Sequence, residues 1–423
     1  MNNQTLPLLP LEVIREILLR LPVKSLLRFK CVSKSWLSLI SDPQFGISHY
    51  DLAATPTHRI LMRSNDFYAQ SIDANEPFID REEGTLCLLR AVHLLLPPPS
   101  PPRIPDFFHF DDFRNQPQIL GSCRGFILLY YERGDDLILW NPSIGVHKQL
   151  PHFQYDNITR EFLYGFGYDP SKDDYLITII PFSAENEAHV FSFKTASWNS
   201  LLVNVPYSDP GNCLAVRAGS LFNETLHWLV FSKEKNVAVI LAFDLVQRSF
   251  SEISLLDHLT TEKCGVCGLR VVGGCLGVCY SVEGSATTEI WVMKEYKVHS
   301  SWAKFIVVPT CDFSPICITK DGGIFGSDMR SLEKYDDKGQ LLEHRAYGVQ
   351  EELFYCLNLQ CAIYRESLLS LPTVIRNTSE EEHQQLIRKI RVCMHCYPIS
   401  FTIAFLFILL LIFLSLLFKR VSY

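Results

Sequence analysis

Residues 9–36 read LPLEVIREILLRLPVKSLLRFKCVSKSW, and this stretch predicts the architecture of the amino-terminal end. Apolar residues recur at helical spacing from Leu11 to Leu21, before a proline ends this first helix. A second short helix is predicted from Val23 to Phe29 and a third from Cys31 to Ile40, which Asp42 and Pro43 end. Three helices in about 40 residues form too small a core to be stable alone. Such a module is expected to complete its core against a partner.

The same stretch resembles the plant F-box, position by position, from Leu9 to Trp36. This resemblance implies a helical motif that binds the small Skp-type adaptor of a cullin-RING ubiquitin ligase. Binding of this kind packs apolar side chains into a groove, where central aliphatic and aromatic anchors supply most of the energy. A closed three-helix core without a partner is the alternative, and it leaves the many Leu, Val and Pro residues at the rim unexplained. The contact positions of the family correspond here to Leu9, Pro10, Val13, Ile14, Ile17, Leu18, Pro22, Leu26, Leu27, Cys31, Val32 and Trp36.

The middle of the chain is predicted to be all-β. Short β-branched and aromatic runs alternate there with Gly, Asn, Asp and Pro turns, and almost no long helical period occurs before residue 350. A weak repeat has aromatic centres about every 50 residues, which is typical of kelch-type blades. Four-stranded blades around an axis account for this rhythm and predict a propeller-like domain. The repeated blocks are Ile138–Pro142, Val190–Phe193, Leu241–Leu245, Glu289–Met293 and Leu332–Asp336.

Several motifs in this region resemble the F-box-associated domain of plant F-box proteins. In chain order they are Gly121–Gly125, Leu139–Pro142, Tyr164–Asp169 and Trp291–Tyr296. Arg365–Leu371 resembles the closing strand of that domain, so the resemblance extends along most of the chain. It implies that the β domain binds the protein to be ubiquitinated.

The carboxyl-terminal end contains an uninterrupted apolar run from Ile399 to Phe418. About 20 such residues can cross the hydrocarbon core of a bilayer, which predicts a transmembrane tail anchor. Arg388, Lys389 and Arg391 precede the run, and Lys419 and Arg420 follow it, so the charge bias leans weakly toward a cytosolic amino-terminal side. A tail appended by a misread intron and a buried core helix are the alternatives for this segment. Members of the family that the chain resembles usually end before such a tail.

The predicted fold class is therefore α+β multidomain. It comprises an N-terminal three-helix F-box, an all-β propeller-like domain and a C-terminal transmembrane helix. The expected boundaries are 1–48 for the F-box, 49–115 for a linker and the start of the β domain, 116–375 for the F-box-associated domain, 376–398 for a polar linker and 399–418 for the tail anchor.

Composition and motifs argue against several classes of function. The formal net charge of −7 makes nucleic acid an unexpected partner, because phosphate backbones bind clustered Lys and Arg. We find no nucleophile elbow, phosphate loop, metalloprotease motif or dinucleotide fingerprint, so no catalytic residue and no cofactor are predicted. A zinc site is conceivable at Cys264, Cys267, Cys275 and Cys279, but a buried strand explains the last two, and no metal is predicted.

The predicted function is that of a non-catalytic substrate-recognition adaptor of an SCF-type (cullin-RING) E3 ubiquitin ligase. Its expected partners are the Skp-type adaptor and through it a cullin, an unidentified protein substrate, and a membrane through the tail. No secretory signal begins the chain, so the folded part is expected to face the cytosol or the nucleus. A membrane-tethered interaction scaffold without ligase coupling is the first alternative, and a propeller hydrolase is the second.

Overall fold

Four short helices and a six-bladed β-propeller make up the part of the chain that the structure describes. The structure is a computed structural model, and it describes residues 10–52, 58–63, 68–73, 92–98, 117–131, 136–151, 162–182, 187–203, 207–208, 217–256, 259, 265–281, 285–328, 331–346 and 361–372. The prediction of amino-terminal helices followed by a propeller-like domain is confirmed.

The helices are α1 (Leu11–Leu18), α2 (Val23–Phe29), α3 (Lys34–Ser41) and α4 (Pro43–Leu52). Helix α3 ends before Asp42 and Pro43, as predicted, but Pro43 then begins a fourth helix, so the predicted number of three is corrected. Proline is tolerated at the first helical position, where its missing N–H would have no partner. Asp42 Oδ1 caps α4 by accepting hydrogen bonds from the N–H groups of Gln44 and Phe45, at 2.7 and 3.4 Å.

The propeller blades are antiparallel sheets, numbered here along the chain. Blade 1 contains β1 (His58–Arg63), β2 (Tyr68–Ile72), β3 (Val92–Leu95) and β25 (Cys361–Arg365). Blade 2 contains β4 (Pro117–Cys123), β5 (Phe126–Tyr131), β6 (Asp136–Asn141) and β7 (Val146–Gln149). Blade 3 contains β8 (Phe162–Asp169), β9 (Asp174–Pro181), β10 (Glu187–Ser192) and β11 (Ser197–Leu202).

Blade 4 contains β12 (Tyr207–Ser208), β13 (Ser220–Phe222), β14 (Thr225–Ser232), β15 (Val237–Asp244) and β16 (Ser249–Ser254). Its first two short strands pair with different parts of the same edge of β14. Blade 5 contains β17 (Gly265–Val272), β18 (Cys275–Ser281), β19 (Thr288–Met293) and β20 (Trp302–Val308). Blade 6 contains β21 (Ser314–Ile318), β22 (Ile324–Ser327), β23 (Ser331–Tyr335) and β24 (Leu341–Ala346).

Blade 1 closes the ring because it combines strands from both ends of the propeller. β25 is its innermost strand and pairs antiparallel with β1, with Ile363 opposite Ile60. β25 also contacts the innermost strands of blades 2 and 6, β4 and β21. The predicted closing strand Arg365–Leu371 is therefore corrected: the strand is Cys361–Arg365, and only its last residue belongs to the predicted segment.

One apolar cluster lies between each pair of adjacent blades. Phe126 of blade 2 packs with Phe166 of blade 3, and Leu176 of blade 3 packs with Trp228 of blade 4. Strands in the middle of a blade are covered on both sides, so β9 is buried at every position and is mostly apolar in sequence. The sequence repeat arises from this packing, because its five blocks lie in β6, β10, β15, β19 and β23, the third strands of blades 2 to 6.

The predicted polar linker 376–398 and the predicted transmembrane segment 399–418 lie outside the described residues, so the tail anchor stays a prediction. Among the helices that the structure does describe, none has the length and apolar character needed to cross a bilayer.

Candidate functional site

The helices of the module pack around one apolar core, to which residues outside the helices also contribute. Leu18, Leu19, Leu26, Ile40 and Phe45 are buried there, and the Trp36 ring meets the edge of Phe29 at a centroid distance of 5.5 Å. His49 of α4 is hydrogen-bonded through Nε2 to the Leu21 carbonyl oxygen at 2.8 Å, which joins α4 to the turn after α1. Burial lowers the pKa of His49, so the neutral ring donates this hydrogen bond.

The structure places the predicted contact residues in three groups and leaves Leu9 outside the described part of the chain. Leu18 and Leu26 are buried in the core of the module, with 1% and 0% exposure. Partly buried positions are Ile14, Leu27 and Trp36. Exposed positions are Pro10, Val13, Ile17, Pro22, Cys31 and Val32.

Helix α1 has apolar residues on two faces. Ile14 and Leu18 face the core of the module, whereas Val13 and Ile17 are 42% and 46% exposed. A globular helix normally carries one apolar stripe, so the outer pair is not needed for folding of the module. Leu11 and Leu37 were not predicted as contacts but are also large and exposed, at 56% and 47%. The sequence contains a signal for Leu11 and Leu37, because α1 and α3 carry more apolar residues than one buried helix face can hold.

Residues 366–372, called the strap here, join the helical module to the propeller. The strap follows β25, and its Leu368 belongs to the core of the helical module, together with Leu18 and Phe45. The next residue, Leu369, packs instead in the cluster between blades 2 and 3. Adjacent residues of one segment are thus buried in two different cores, which fixes the module on the propeller.

Asn141, at the end of β6, holds the strap through its side chain. Its Nδ2 donates to the Ser367 carbonyl oxygen at 3.3 Å, to Ser367 Oγ at 3.2 Å and to the Leu369 carbonyl oxygen at 3.0 Å. The Ser367 N–H in turn donates to Ser143 Oγ at 3.1 Å. Asn141 and Ser367 are both fully buried, so these bonds satisfy groups that water does not reach.

Two arginines connect α4 with the propeller around Tyr50. The Arg365 guanidinium lies 4.0 Å from the centre of the Tyr50 ring and donates a hydrogen bond to the Tyr50 carbonyl oxygen. The Arg124 guanidinium lies 4.9 Å from the same ring and 4.3 Å from the Tyr168 ring of blade 3. Arg124 also approaches Asp51 at 3.8 Å. Cation–π contacts of this kind gain strength where water is excluded.

The two faces of the propeller carry different kinds of connection between strands. Consecutive strands in a blade are antiparallel, so the connections at 124–125, 142–145, 170–173, 193–196 and 245–248 all lie on one face, called the turn face here. The helical module packs on this face, because Arg124, Ser143 and Ile144 belong to its turns. Connections between blades begin and end at the opposite face, called the loop face, where for example β7 ends and β8 begins.

No candidate metal site appears among the residues that the structure describes, where no group of three or more His, Cys, Asp and Glu side chains is suitably placed. Cys279 of β18 is fully buried in the cluster between blades 5 and 6, and Cys275 packs partly buried against it. The side chains of Cys264 and Cys267 lie outside the described part.

Both parts of the chain match family models. A model described as the F-box domain matches residues 6–48, and one described as the F-box associated beta propeller domain matches residues 98–342, more than half of the chain. An F-box/kelch-repeat protein of Arabidopsis thaliana is 28% identical over 346 residues, which cover 76% of this chain and 86% of that protein.

The F-box protein CPR1 of Arabidopsis thaliana is 26% identical over 326 residues, which cover 71% of this chain and 73% of that protein. A chain of a solved nidogen/laminin complex matches with 11% identity and a TM-score of 0.40, covering 73% of this chain and 99% of that chain. With an amino-terminal F-box followed by a six-bladed propeller, the chain belongs to the family of F-box proteins that carry an F-box-associated β-propeller domain.

Proposed function

We propose that this protein is the substrate-recognition adaptor of an SCF-type (cullin-RING) E3 ubiquitin ligase. The observation that carries the proposal is the outer apolar face of α1 within an F-box domain. Val13 and Ile17 are exposed there although the core of the module is already complete without them. An apolar pair of this kind is stabilised when a partner covers it, and the Skp-type adaptor is the partner that an F-box implies.

The proposed contact surface combines exposed and partly buried side chains. Pro10, Val13, Ile17, Pro22, Cys31 and Val32 would touch the Skp-type adaptor directly, and Ile14, Leu27 and Trp36 would form the lower part of the surface. Leu18 and Leu26 would act from inside the module, because both belong to the apolar core on which its helices pack. Leu9, which precedes the described residues, belongs to the same proposed surface.

The substrate is proposed to bind the loop face of the propeller. The helical module covers part of the turn face, whereas the connections between blades begin and end on the opposite face. Recognition is commonly carried by loops on a rigid scaffold, and the apolar clusters between blades supply that rigidity here. The protein would contribute no catalytic group. It would accelerate ubiquitin transfer by holding the substrate close to the subunits that carry out the transfer.

The test is binding of the full-length protein to a purified Skp-type adaptor, measured for wild type and for the double variant Val13→Ser, Ile17→Ser. Replacing exposed apolar residues by serine leaves the core of the module intact, so the fold is retained. Removing two aliphatic contacts from an interface is expected to weaken binding at least about tenfold. Leu202→Ser is the matched control, because Leu202 is 73% exposed on β11 of the propeller.

Unchanged binding by Leu202→Ser together with weaker binding by the double variant supports the proposed surface. Equal binding by the double variant and wild type would remove α1 from the interface. A folded wild-type protein that does not bind the adaptor at all would refute the ligase role and favour a scaffold without ligase coupling.

A further inference from the structure

A cleft with basic residues at its mouth lies between blades 3 and 4. Its volume is about 280 Å³, and Lys172, Lys194 and Arg248 contribute the cations. The three residues belong to the turns 170–173, 193–196 and 245–248, so the cleft opens on the turn face. We call it the basic cleft. It is separate from the outer face of α1 and from the loop face, so nothing proposed above accounts for it.

The acidic side chains next to the basic cleft already have partners. Asp169 and Asp174 are 0% and 4% exposed, and Arg248 Nη2 lies 3.1 Å from Asp169 Oδ2 and 3.8 Å from Asp174 Oδ2. The other Asp174 contacts are hydrogen bonds from Ser192 Oγ at 2.6 Å and from the Lys194 N–H at 2.9 Å. These two carboxylates are therefore turned inward and present little negative charge to a ligand at the mouth. The exposed Asp173 of the same turn does not line the cleft and accepts a hydrogen bond from the Tyr168 hydroxyl at 2.6 Å.

Two ammonium groups at the mouth remain available. Lys194 Nζ donates one hydrogen bond, to the Lys172 carbonyl oxygen at 2.8 Å, which leaves two of its hydrogens for a ligand. The ammonium group of Lys172 forms no hydrogen bond or ion pair with the described residues, and both lysines are exposed. The hydrogen bond to the Lys172 carbonyl oxygen also restrains the Lys194 side chain. Part of the entropy that this side chain would lose on binding a ligand is therefore already lost in the free protein.

Part of the wall of the basic cleft is apolar, and the polar side chains of Ser192, Thr195 and Asn199 line the rest. Val190 of β10 is 4% exposed, and Leu201 of β11 is partly buried in the cluster between blades 3 and 4. Ligand sites typically combine an apolar surface with a few polar groups that set orientation. The volume is below that of a typical small-molecule pocket and corresponds to one or two amino-acid side chains.

We propose that the basic cleft binds a peptide segment in which an acidic group, carboxylate or phosphate, stands beside an apolar side chain. The acidic group would lie between the ammonium groups of Lys172 and Lys194, and the apolar side chain would rest on Val190 and Leu201. A nucleic acid fits less well, because it requires a longer track of cations than these two turns supply.

The experiment uses the full-length protein and a fluorescent eight-residue peptide in which a leucine is followed by two glutamates. A second peptide has phosphoserine in place of the glutamates, and a third has glutamine there. Fluorescence anisotropy is expected to show binding of the first two peptides but not of the third, and weaker binding as salt is added. Stronger binding of the phosphoserine peptide would assign a phosphate site, and equal binding would assign a general carboxylate site.

The double variant Lys172→Met, Lys194→Met is expected to bind at least about fivefold more weakly, since exposed ion pairs contribute modestly and two are removed. Lys233→Met is the matched control, because Lys233 is an exposed lysine in the turn between β14 and β15 on the other face. The proposal is overturned if neither acidic peptide binds to wild type, or if the control variant weakens binding as much as the double variant.

Discussion

Gly125 tests how tightly the strap is held against blade 2. It occupies the turn between β4 and β5 with a φ of +83°, a conformation that glycine adopts without cost. A Cβ atom at this position would lie 2.5 Å from Ser367 Oγ and 2.7 Å from the Arg365 carbonyl oxygen. The first atom belongs to the strap, and the second is a backbone atom of β25 directly before it, so both segments have to shift in Gly125→Ala.

Gly145 provides a matched control in the same blade. It also has positive φ, +73°, but a Cβ there would meet nothing within 4 Å. Both Gly→Ala changes carry the left-handed backbone cost of about 1–2 kcal/mol. Gly125→Ala adds the cost of overpacking against the strap, typically about 1–3 kcal/mol. The difference between the two variants therefore isolates the contact between blade 2 and the strap.

The assay combines urea unfolding of the full-length protein with hydrogen exchange of its backbone amides. Gly125→Ala is expected to lower the free energy of unfolding by about 1–3 kcal/mol more than Gly145→Ala does. Exchange is expected to accelerate in the strap and in α4, and to stay unchanged in blades 4 and 5. Equal destabilisation by the two variants, or unchanged exchange in the strap, would show that the strap does not pack against the turn at Gly125.

Two further predictions concern buried polar side chains. Asn141→Ala leaves the Ser367 and Leu369 carbonyl oxygens without their donor, so unfolding measurements should show a loss of about 2–4 kcal/mol, against less than about 0.5 kcal/mol for the exposed Asn199→Ala. His227 is fully buried, with Nδ1 3.2 Å from the Ser220 carbonyl oxygen and Nε2 2.8 Å from the Tyr296 hydroxyl, and burial lowers its pKa from 6.5 to about 4. Because the folded state binds its proton less readily than the unfolded state, this group destabilises the protein as pH falls from 6.5 towards 4, by about 2 kcal/mol at pH 5. The pH profile of unfolding should therefore be flatter in His227→Gln, and parallel profiles in the two proteins would contradict this assignment.

The fold could be predicted where the strands of one blade lie close together in the sequence. The aromatic blocks mark the third strand of blades 2 to 6 because that strand is covered by neighbouring blades and contributes buried apolar side chains to the clusters between them. Blade 1 gave no such signal. Its innermost strand comes from residues 361–365, about 300 positions after β1, so no window of sequence contains the blade.

The candidate site was predictable only in part, because burial and the contacts between distant segments are not visible in a local stretch of sequence. Helical spacing locates α1 to α3, but it does not say which apolar residues the module buries, and Leu18 and Leu26 proved to be internal. The position of Pro43 was ambiguous because proline both ends helices and begins them, and only the cap from Asp42 decides between the two. The strap was hidden because Ser367 finds its partners on Asn141 and Ser143, in a different blade.

Two motifs that were predicted as parts of the propeller also hold the strap. Gly125 ends the motif Gly121–Gly125, and Asn141 lies in Leu139–Pro142, yet both contact the strap that leads into the core of the F-box. The family model ends at residue 342, before β25 and the strap begin. A chain that stopped there would lack the innermost strand of blade 1 and would leave Leu368 missing from the F-box core. A shortened chain in which the F-box stays fixed on the propeller must therefore keep β25 and the strap at least as far as Leu369.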